Sequence, residues 1–228
     1  MYGIGIASIV EPSVSNMGYI TTVLTPEQRA KAGPKNGAIT SATVSVDPSG
    51  NISANIASAP AGQGHQTVIG QLLADVFGVS PSQIQVNVDF DTAKDAWSIA
   101  AGNYSSRFAG AVAGTVFLAA EKLKVRIAAY AAHVLKVKPD QLIFANGHIS
   151  VIGRENDAIP FSRICGNFHW SPGLVQEALG KDVLLALQET QFWSADVLQA
   201  PDENDRINTS AAYGFALDAC GIEIDPVS

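Results

Sequence analysis

Few cysteines, few basic residues and no long apolar run characterise this sequence, and each shortage excludes a class of protein. Two cysteines among 228 residues, Cys165 and Cys220, cannot form a disulfide framework, and their spacing is not that of a zinc site. Lysine and arginine total 14 against 21 acidic residues, so the net charge of −7 predicts no basic face for nucleic acid. The longest apolar run, Phe108 to Ala120, is too short to span a bilayer.

The remaining composition is that of a globular protein. A hydrophobic content of 47% over 228 residues is enough for a substantial core, in one large domain or two small ones. Both thiols lie in apolar stretches, so we expect them to be buried and unreactive. The N-terminal residues Tyr2–Val10 predict a strand that ends at Glu11-Pro12, and they lack the basic start of a signal peptide. The expected compartment is therefore the cytoplasm.

A glycine-rich segment at residues 59–67, with the sequence APAGQGHQT, lies between a predicted strand and a predicted helix. Glycines one residue apart allow a sharp turn and a close approach of the backbone to another molecule. The N-terminus of the following helix directs N–H groups at the same turn, and such groups bind anions. The segment therefore predicts a seat for an anionic ligand, although a plain strand-to-helix turn would need the same glycines.

Regular patterns surround this segment. Alternating residues on both sides of Asp47-Pro48 predict a hairpin of Thr43–Val46 with Ile52–Ile56. Apolar residues at helical spacing predict a helix over His65–Phe77 that ends at Gly78. A strand is expected next, at residues 84–88.

A second motif, GNYSSR at residues 102–107, opens the other long helix. Ser105 or Ser106 is the expected N-cap, and apolar residues keep one helical face as far as Val134. The C-terminal half predicts a hairpin of 142–144 with 148–151 around Asn146-Gly147, and then a helix that begins at Pro160. A strand is expected over 183–193, and it must bulge or leave the core near Gln188. One or two further strands are expected over 211–224.

The last residues repeat an earlier pattern. Ile222-Glu223-Ile224-Asp225-Pro226 has the same order of residue types as Val44-Ser45-Val46-Asp47-Pro48, where a return strand follows the turn. We therefore expect the chain to be a fragment of a longer polypeptide. The fold class predicted is α+β, with mixed or antiparallel sheets packed against two long helices. We treat residues 1–228 as one partial domain with a secondary boundary near 152–160.

Two motifs together resemble a known family. Gly62-Gln63-Gly64-His65-Gln66-Thr67 and, later, Gly102-Asn103-Tyr104-Ser105-Ser106-Arg107 are similar to motifs in the large subunit of molybdenum hydroxylases. This superfamily contains xanthine dehydrogenase, aldehyde oxidase and aerobic carbon monoxide dehydrogenase. Shorter pieces match in order, including Tyr2-Gly3-Ile4-Gly5 near the start and Glu223-Ile224-Asp225-Pro226 near the end. Two separated motifs are far more specific than either motif alone.

The resemblance implies a molybdopterin cofactor, in the cytosine dinucleotide form, with iron–sulfur and FAD groups on partner subunits or domains. The metal would be held by the cofactor's own sulfurs, so no protein ligand to it is expected. The implied reaction oxidises an aldehyde, an N-heterocycle or a similar small molecule with oxygen from water, in a homo- or hetero-oligomer. The implied cofactor-binding residues are Gly62, Gln63, Gly64, His65, Asn103, Tyr104, Ser105, Ser106 and Arg107.

Within this set two roles stay open. Arg107 either contacts a phosphate or forms a structural salt bridge with Asp89 or Asp91. His65 either faces the cofactor or caps its own helix. The sequence also departs from the family: Asn103 stands where threonine is commoner, and Ser105 where glycine is commoner. No Gly-x-Gly-Glu motif, which carries the family's general base, occurs here, so we expect the chain alone to be inactive.

Other functions agree with the sequence less well. One is a module that seats a phosphate or nucleotide in the same glycine turn without catalysis. Another is a scaffold subunit that has lost cofactor binding. A calcium loop at Asp89, Asp91 and Asp95 lacks the glycine and the closing glutamate of that pattern.

Overall fold

The computed structural model describes residues 1–16, 18–33, 37–89, 91–93 and 102–227. The first half contains β1 (Tyr2–Ser15), α1 (Pro26–Ala32), β2 (Thr40–Val46), β3 (Ile52–Ile56), α2 (His65–Phe77) and β4 (Ile84–Asn87). The second half contains α3 (Gly114–Leu135), β5 (Leu142–Ala145), β6 (His148–Val151), β7 (Arg154–Pro160), α4 (Phe161–Trp170), α5 (Pro172–Leu179), β8 (Gln188–Trp193) and β9 (Ser210–Glu223).

The chain folds into two compact units. Unit 1 contains residues 1–38, 104–110 and 195–228, and unit 2 contains residues 39–103 and 111–194. Helices α2 to α5 and strands β2 to β8 belong to unit 2.

The main sheet of unit 2 has the strand order β4-β3-β2-β8, with β3 and β4 parallel and the other neighbours antiparallel. Helix α3 lies against β2 and β8, while α2 lies against β4 and α3. Alternate residues of the strands and one stripe of each helix form the core: Val44, Ile52, Ala54, Ile69, Leu73, Leu123 and Ile127 are all buried. The predicted α+β class, with mixed sheets against two long helices, is confirmed.

The hairpin of β2 and β3 forms as predicted, with Val46 opposite Ile52. The Asp47 carboxylate closes its turn, because Oδ1 accepts hydrogen bonds from the amides of Ser49 at 2.8 Å and Asn51 at 2.9 Å. An aspartate that binds its own chain two residues further on is a common way to begin a turn.

Helix α2 has the bounds that the sequence predicts. Gly78 follows it in the left-handed conformation, with φ of 64°. A Cβ atom at Gly78 would lie 2.2 Å from the carbonyl oxygen of Phe144, so neither the backbone conformation nor the space admits a larger residue. Glycine is needed here for two separate reasons.

The second sheet of unit 2 has the order β5-β6-β7. Its first hairpin turns at Asn146 and Gly147, both with positive φ, as the Asn-Gly pair predicts. Strand β7 was not predicted, because its sequence RENDAIP is mostly polar and exposed and shows no apolar alternation. Helix α4 begins where predicted, and α5 follows it.

One predicted strand is wrong over half its length. Only Gln188–Trp193 forms β8, and the apolar residues 183–187 are not in a strand. Arg126 of α3 donates to the carbonyl oxygens of Leu184 at 3.4 Å and Ala186 at 2.7 Å, and it forms an ion pair with Glu189. A side chain therefore satisfies carbonyls that a strand neighbour would otherwise bind.

Unit 1 contains a two-stranded antiparallel ribbon of β1 and β9. The prediction that β1 ends at Pro12 is wrong, since the strand continues to Ser15. Met1 and Ile224 exchange hydrogen bonds of 2.7 and 2.8 Å, so odd-numbered residues of β1 direct their N–H groups at β9. Pro12 occupies an even position, where a missing N–H removes no bond between the strands.

Helix α1 of unit 1 has a well-defined start: Thr25 is the N-cap, Pro26 is the first helical residue, and Thr25 and Gln28 form a capping box. The expectation that Cys220 is buried is wrong, because a residue in a two-stranded ribbon has no second layer over it and Cys220 is exposed. Cys165, on α4 in unit 2, is buried as expected. Burial raises the pKa of its thiol, and the nearby Asp47 carboxylate adds to that effect.

None of the helices in the described ranges combines the length and the apolar character that a bilayer span requires.

Candidate cofactor-binding site

The glycine-rich turn begins where the main sheet of unit 2 ends. Directly after β3, the amide of Ala57 donates to the carbonyl of Ser41 at 3.3 Å. Beyond it, the side chain of Asn103 holds the chain: its Oδ1 accepts from Ser58 Oγ at 3.3 Å, and its Nδ2 donates to the carbonyl of Ala59. Asn103, which belongs to the second motif, therefore contacts Ser58 and Ala59, where the glycine-rich segment begins.

The turn itself depends on two left-handed glycines. Gly62 has φ of 98° and Gly64 has φ of 77°, a conformation that other residues rarely adopt. A Cβ atom added to either glycine would have no atom of the described residues within 4 Å. These glycines are therefore required by the backbone conformation, and the space beside them is open.

Gln63, between the two glycines, has a fixed orientation. The amide of Ala61 donates to its Oε1 at 2.6 Å, which identifies that atom as the oxygen. Its Nε2 group has no hydrogen-bond partner among the described residues, and the residue is exposed. The turn therefore offers a ligand two N–H donors, while the acceptor atom of the side chain is already in use.

Helix α2 begins directly after the turn. Gly64 occupies the N-cap position and has no side chain, so the N-cap residue itself supplies no side-chain hydrogen bond to this helix end. His65 is thus the first helical residue and not the cap, which removes one of the two roles that the sequence left open. It is 1% exposed, and burial lowers its pKa. At neutral pH the imidazole is neutral, so the positive character at the turn comes from backbone N–H groups.

The second motif does not form the expected helix cap. Ser105 and Ser106 have φ of 51° and 42°, whereas an N-cap residue is extended, so the prediction of a serine N-cap is wrong. The helix begins instead as a π-helical turn, Phe108–Ala113, and continues as α3. The hydroxyl of Ser106 donates to the Glu11 carboxylate at 3.1 Å, and the carbonyl of Ser105 accepts from the amide of Val14 at 2.8 Å.

Arg107 has a structural place in unit 1. It is 1% exposed, and its Nη1 and Nη2 atoms donate to the carbonyls of Ser15 at 2.7 Å and Ala38 at 3.1 Å. The ring of Tyr104 lies 5.8 Å from the guanidinium carbon. Burial lowers the pKa of Arg107, although the nearby Tyr104 opposes that effect. These contacts join the motif to the end of β1 and to the segment before β2.

The structure thus unites part of the predicted site. Gly62, Gln63, Gly64, His65 and Asn103 belong to unit 2, where one turn and one side chain hold them together. Tyr104, Ser105, Ser106 and Arg107 belong to unit 1 and form a second arrangement. That both arrangements contact one ligand stays a prediction.

Two residues of these arrangements were not predicted. Ser58 is 2% exposed and binds Asn103, while Glu11 accepts from Ser106. Both contacts join residues far apart in the sequence, and no local pattern marks such pairs. The calcium-loop alternative cannot be followed fully, because Asp95 lies outside the described residues. Within the described ranges, no group of three or more His, Cys, Asp or Glu residues is placed to hold a metal ion.

Comparison with known proteins identifies the fold and the family. The model of the molybdopterin cofactor-binding domain matches residues 1–228. The chain belongs to this family. The fold is also similar to that of quinoline 2-oxidoreductase from Pseudomonas putida 86, with a TM-score of 0.69 and 22% identity over 96% of this chain. It is similar as well to that of carbon monoxide dehydrogenase from Oligotropha carboxidovorans, with a TM-score of 0.68 and 20% identity over 97% of this chain.

Curated relatives of this molybdopterin-binding chain are large subunits of enzymes. The chain is 28% identical over 168 residues to the nicotine 6-hydroxylase large subunit of Paenarthrobacter nicotinovorans, and 25% identical over 226 residues to the carbon monoxide dehydrogenase large chain of Hydrogenophaga pseudoflava. These matches cover 74% and 95% of this chain but only 19% and 27% of those relatives. The two solved structures are likewise covered over 24% and 23% of their length.

Proposed function

We propose that this chain is the part of a molybdenum hydroxylase large subunit that seats the molybdopterin cofactor at the Gly62–Gly64 turn. The observation that carries the proposal is the open turn, in which the exposed Gln63 keeps two N–H donors beside the start of a helix whose N-cap is a glycine. Family membership supports it, since the whole chain matches the cofactor-binding domain.

The residues fit such a group chemically. A pterin presents ring nitrogen and carbonyl acceptors along one edge and carries a phosphate on its tail. Gln63 offers donors to the edge, and the start of α2 offers backbone N–H groups and a positive dipole end to an anion. No acidic side chain lies within residues 59–67 to repel it. The bound cofactor would supply the redox centre, and the residues of the turn would hold and orient it.

The finer assignments are part of the same proposal. As the family resemblance implies, the parent protein would be an oxidoreductase that uses water-derived oxygen on an aldehyde, an N-heterocycle or a similar small molecule. The cofactor would be the cytosine dinucleotide form, with iron–sulfur and FAD partners in a cytoplasmic assembly. Because the chain spans about a quarter of its relatives, we propose that it is one portion of such a subunit and is inactive alone.

The proposal is tested by replacing Gln63 in the parent protein, purified from a host that makes the cofactor. Gln63→Ala should lower the molybdenum and pterin content per chain, and the exposed Gln71→Ala on α2 serves as the control. Unchanged content in Gln63→Ala would contradict the proposed role. A wild-type protein that holds no molybdenum but binds nucleotide or phosphate would favour the non-catalytic binding module, and one that binds neither would favour the scaffold.

A further inference from the structure

The Asn103 side chain makes polar contacts between the second motif and the residues that enter the glycine turn. It binds Ser58 and Ala59, the two residues that follow the backbone bond from the Ala57 amide to the Ser41 carbonyl. Within the turn, the amide of Ala61 donates to Gln63 Oε1 at 2.6 Å. A single amide side chain thus makes two contacts at the entrance of the turn.

We infer that Asn103 is a positioning residue: it holds the Ala59 end of the glycine turn and so sets where the Gln63 amide points. The chain of contacts is short. Asn103 Nδ2 holds the carbonyl of Ala59, Ala61 two residues later donates to Gln63 Oε1 at 2.6 Å, and the two left-handed glycines enclose Gln63. Ala59 lies only two residues before Ala61. If the bond from Asn103 to the Ala59 carbonyl is lost, we expect the segment that carries Ala61 to move more freely.

The chemistry of the two Asn103 bonds explains why an amide suits this position. One neighbour is a carbonyl and requires a donor, and the other is a hydroxyl that donates to Oδ1. A carboxamide provides both on adjacent atoms, whereas a carboxylate has no donor. A hydroxyl residue is too short to provide both at once. Ser58 is 2% exposed, so its hydroxyl would lose its partner in a buried place.

This inference rests on the proposed function only for the identity of the ligand. The positioning of the turn can be measured in the unliganded chain. Two properties, the exchange of the Ala61 amide and the cofactor content, are therefore measured on the same three variants. The variants are Asn103→Asp, Asn103→Ala and Ser58→Ala. Asn87→Ala is the matched control, because Asn87 Nδ2 donates to Asn55 Oδ1 at 2.7 Å in the same unit, within the strands and not to a residue of the turn.

The first measurement is hydrogen exchange of the Ala61 amide by NMR, with the thermal midpoint of each variant recorded alongside. Loss of the Ala59 bond should speed this exchange about fivefold in Asn103→Asp and Asn103→Ala, which is the effect of losing one hydrogen bond. Amides of β2 and β3 should be unchanged. Ser58→Ala should have a smaller effect, and Asn87→Ala none. Ala61 exchange equal to wild type in both Asn103 variants, with the fold intact, would overturn the inference.

The second measurement is molybdenum and pterin content of the same variants in the parent protein. We expect content to fall in the order of the Ala61 exchange rates and to stay at the wild-type level in Asn87→Ala. If exchange rises but content does not fall, Asn103 still positions the turn and the proposed cofactor seat is wrong. If exchange does not rise, the positioning role is wrong whatever the content shows.

Discussion

Gln63 is the residue on which the proposed site depends most. Its oxygen accepts from the amide of Ala61, so only its N–H donors are available to a ligand. We predict that Gln63→Glu, which keeps the same shape and the same acceptor, weakens cofactor retention by about 1–3 kcal/mol, because a donor pair becomes a negative charge. Cofactor content at increasing dilution measures this. Retention equal to wild type would show that the donors are not used.

Two glycines at the ends of α2 permit a matched test of why each is needed. Gly64→Ala should destabilise the fold by about 1–2 kcal/mol, the penalty for a left-handed alanine in open space. Gly78→Ala carries the same penalty and also meets the Phe144 carbonyl at 2.2 Å. We predict a larger loss, above about 3 kcal/mol, in the free energy of unfolding measured with urea. Equal losses would show that the backbone near Phe144 adjusts freely.

Single residues also mark the limit of the sequence-based prediction of the site. Gly62, Gly64 and Gln63 were predicted as a ligand-binding turn, since glycine spacing reports backbone freedom directly. Ser105 and Ser106 were predicted as caps because serine favours that position. Their positive φ values are instead accompanied by contacts with Val14 and Glu11, which are distant in sequence. Propensity could not indicate those partners.

Among the elements, those with local signals at both ends were predicted best. Helix α2 has a glycine before it, a glycine after it and an apolar stripe between, and its bounds are correct. The hairpin at Asp47 and the hairpin at Asn146-Gly147 have turn residues with defined conformations, and both are correct. Strand β7 and the 183–187 segment were missed or wrong, because pairing with β6 and the contacts of Arg126 decide them.

The Asp47 turn predicts a pH dependence for the β2–β3 hairpin. Partial burial alone would raise the pKa of Asp47, but hydrogen bonds from Asn51, Ser49 and Gly50 outweigh it and lower the pKa below the ordinary 3.8. A carboxyl group whose pKa is lower in the folded state stabilises the fold at pH values above its unfolded-state pKa. That contribution is lost as the pH falls through the folded-state pKa.

We therefore expect wild type to be more stable than Asp47→Asn at pH 5 to 7. The difference in unfolding free energy should shrink as the pH falls below 3.8. Urea unfolding at a series of pH values measures the difference between the two proteins. A difference that grows towards acid pH would have the wrong sign and would contradict the assignment of the shift to these hydrogen bonds.

At the scale of the molecule, the β1–β9 ribbon has two unlike faces. Cross-strand partners share a face, so one face collects the large apolar side chains of Tyr2, Ile4, Ile6, Val10, Tyr213, Phe215 and Leu217, all of them exposed. The opposite face has mostly small or polar residues. A two-stranded ribbon with an exposed apolar face is marginal in water by itself.

We predict that the isolated chain self-associates through this face at high concentration. Leu217→Lys should shift the sedimentation distribution towards monomer, because it places a charge among the apolar side chains. Ala216→Lys adds the same charge on the opposite face of the same strand and should leave the association unchanged. A wild-type chain that stays monomeric at high concentration would contradict this use of the face.

The account as a whole depends on where the pterin lies, and a structure of the cofactor-loaded parent protein measures that directly. We predict that Gln63 Nε2 lies about 2.7–3.2 Å from an acceptor on the pterin ring, which is hydrogen-bonding distance, with the Ala61–Gln63 bond retained. A loaded structure in which the pterin is bound elsewhere and the Gly62–Gly64 turn faces solvent would contradict the account.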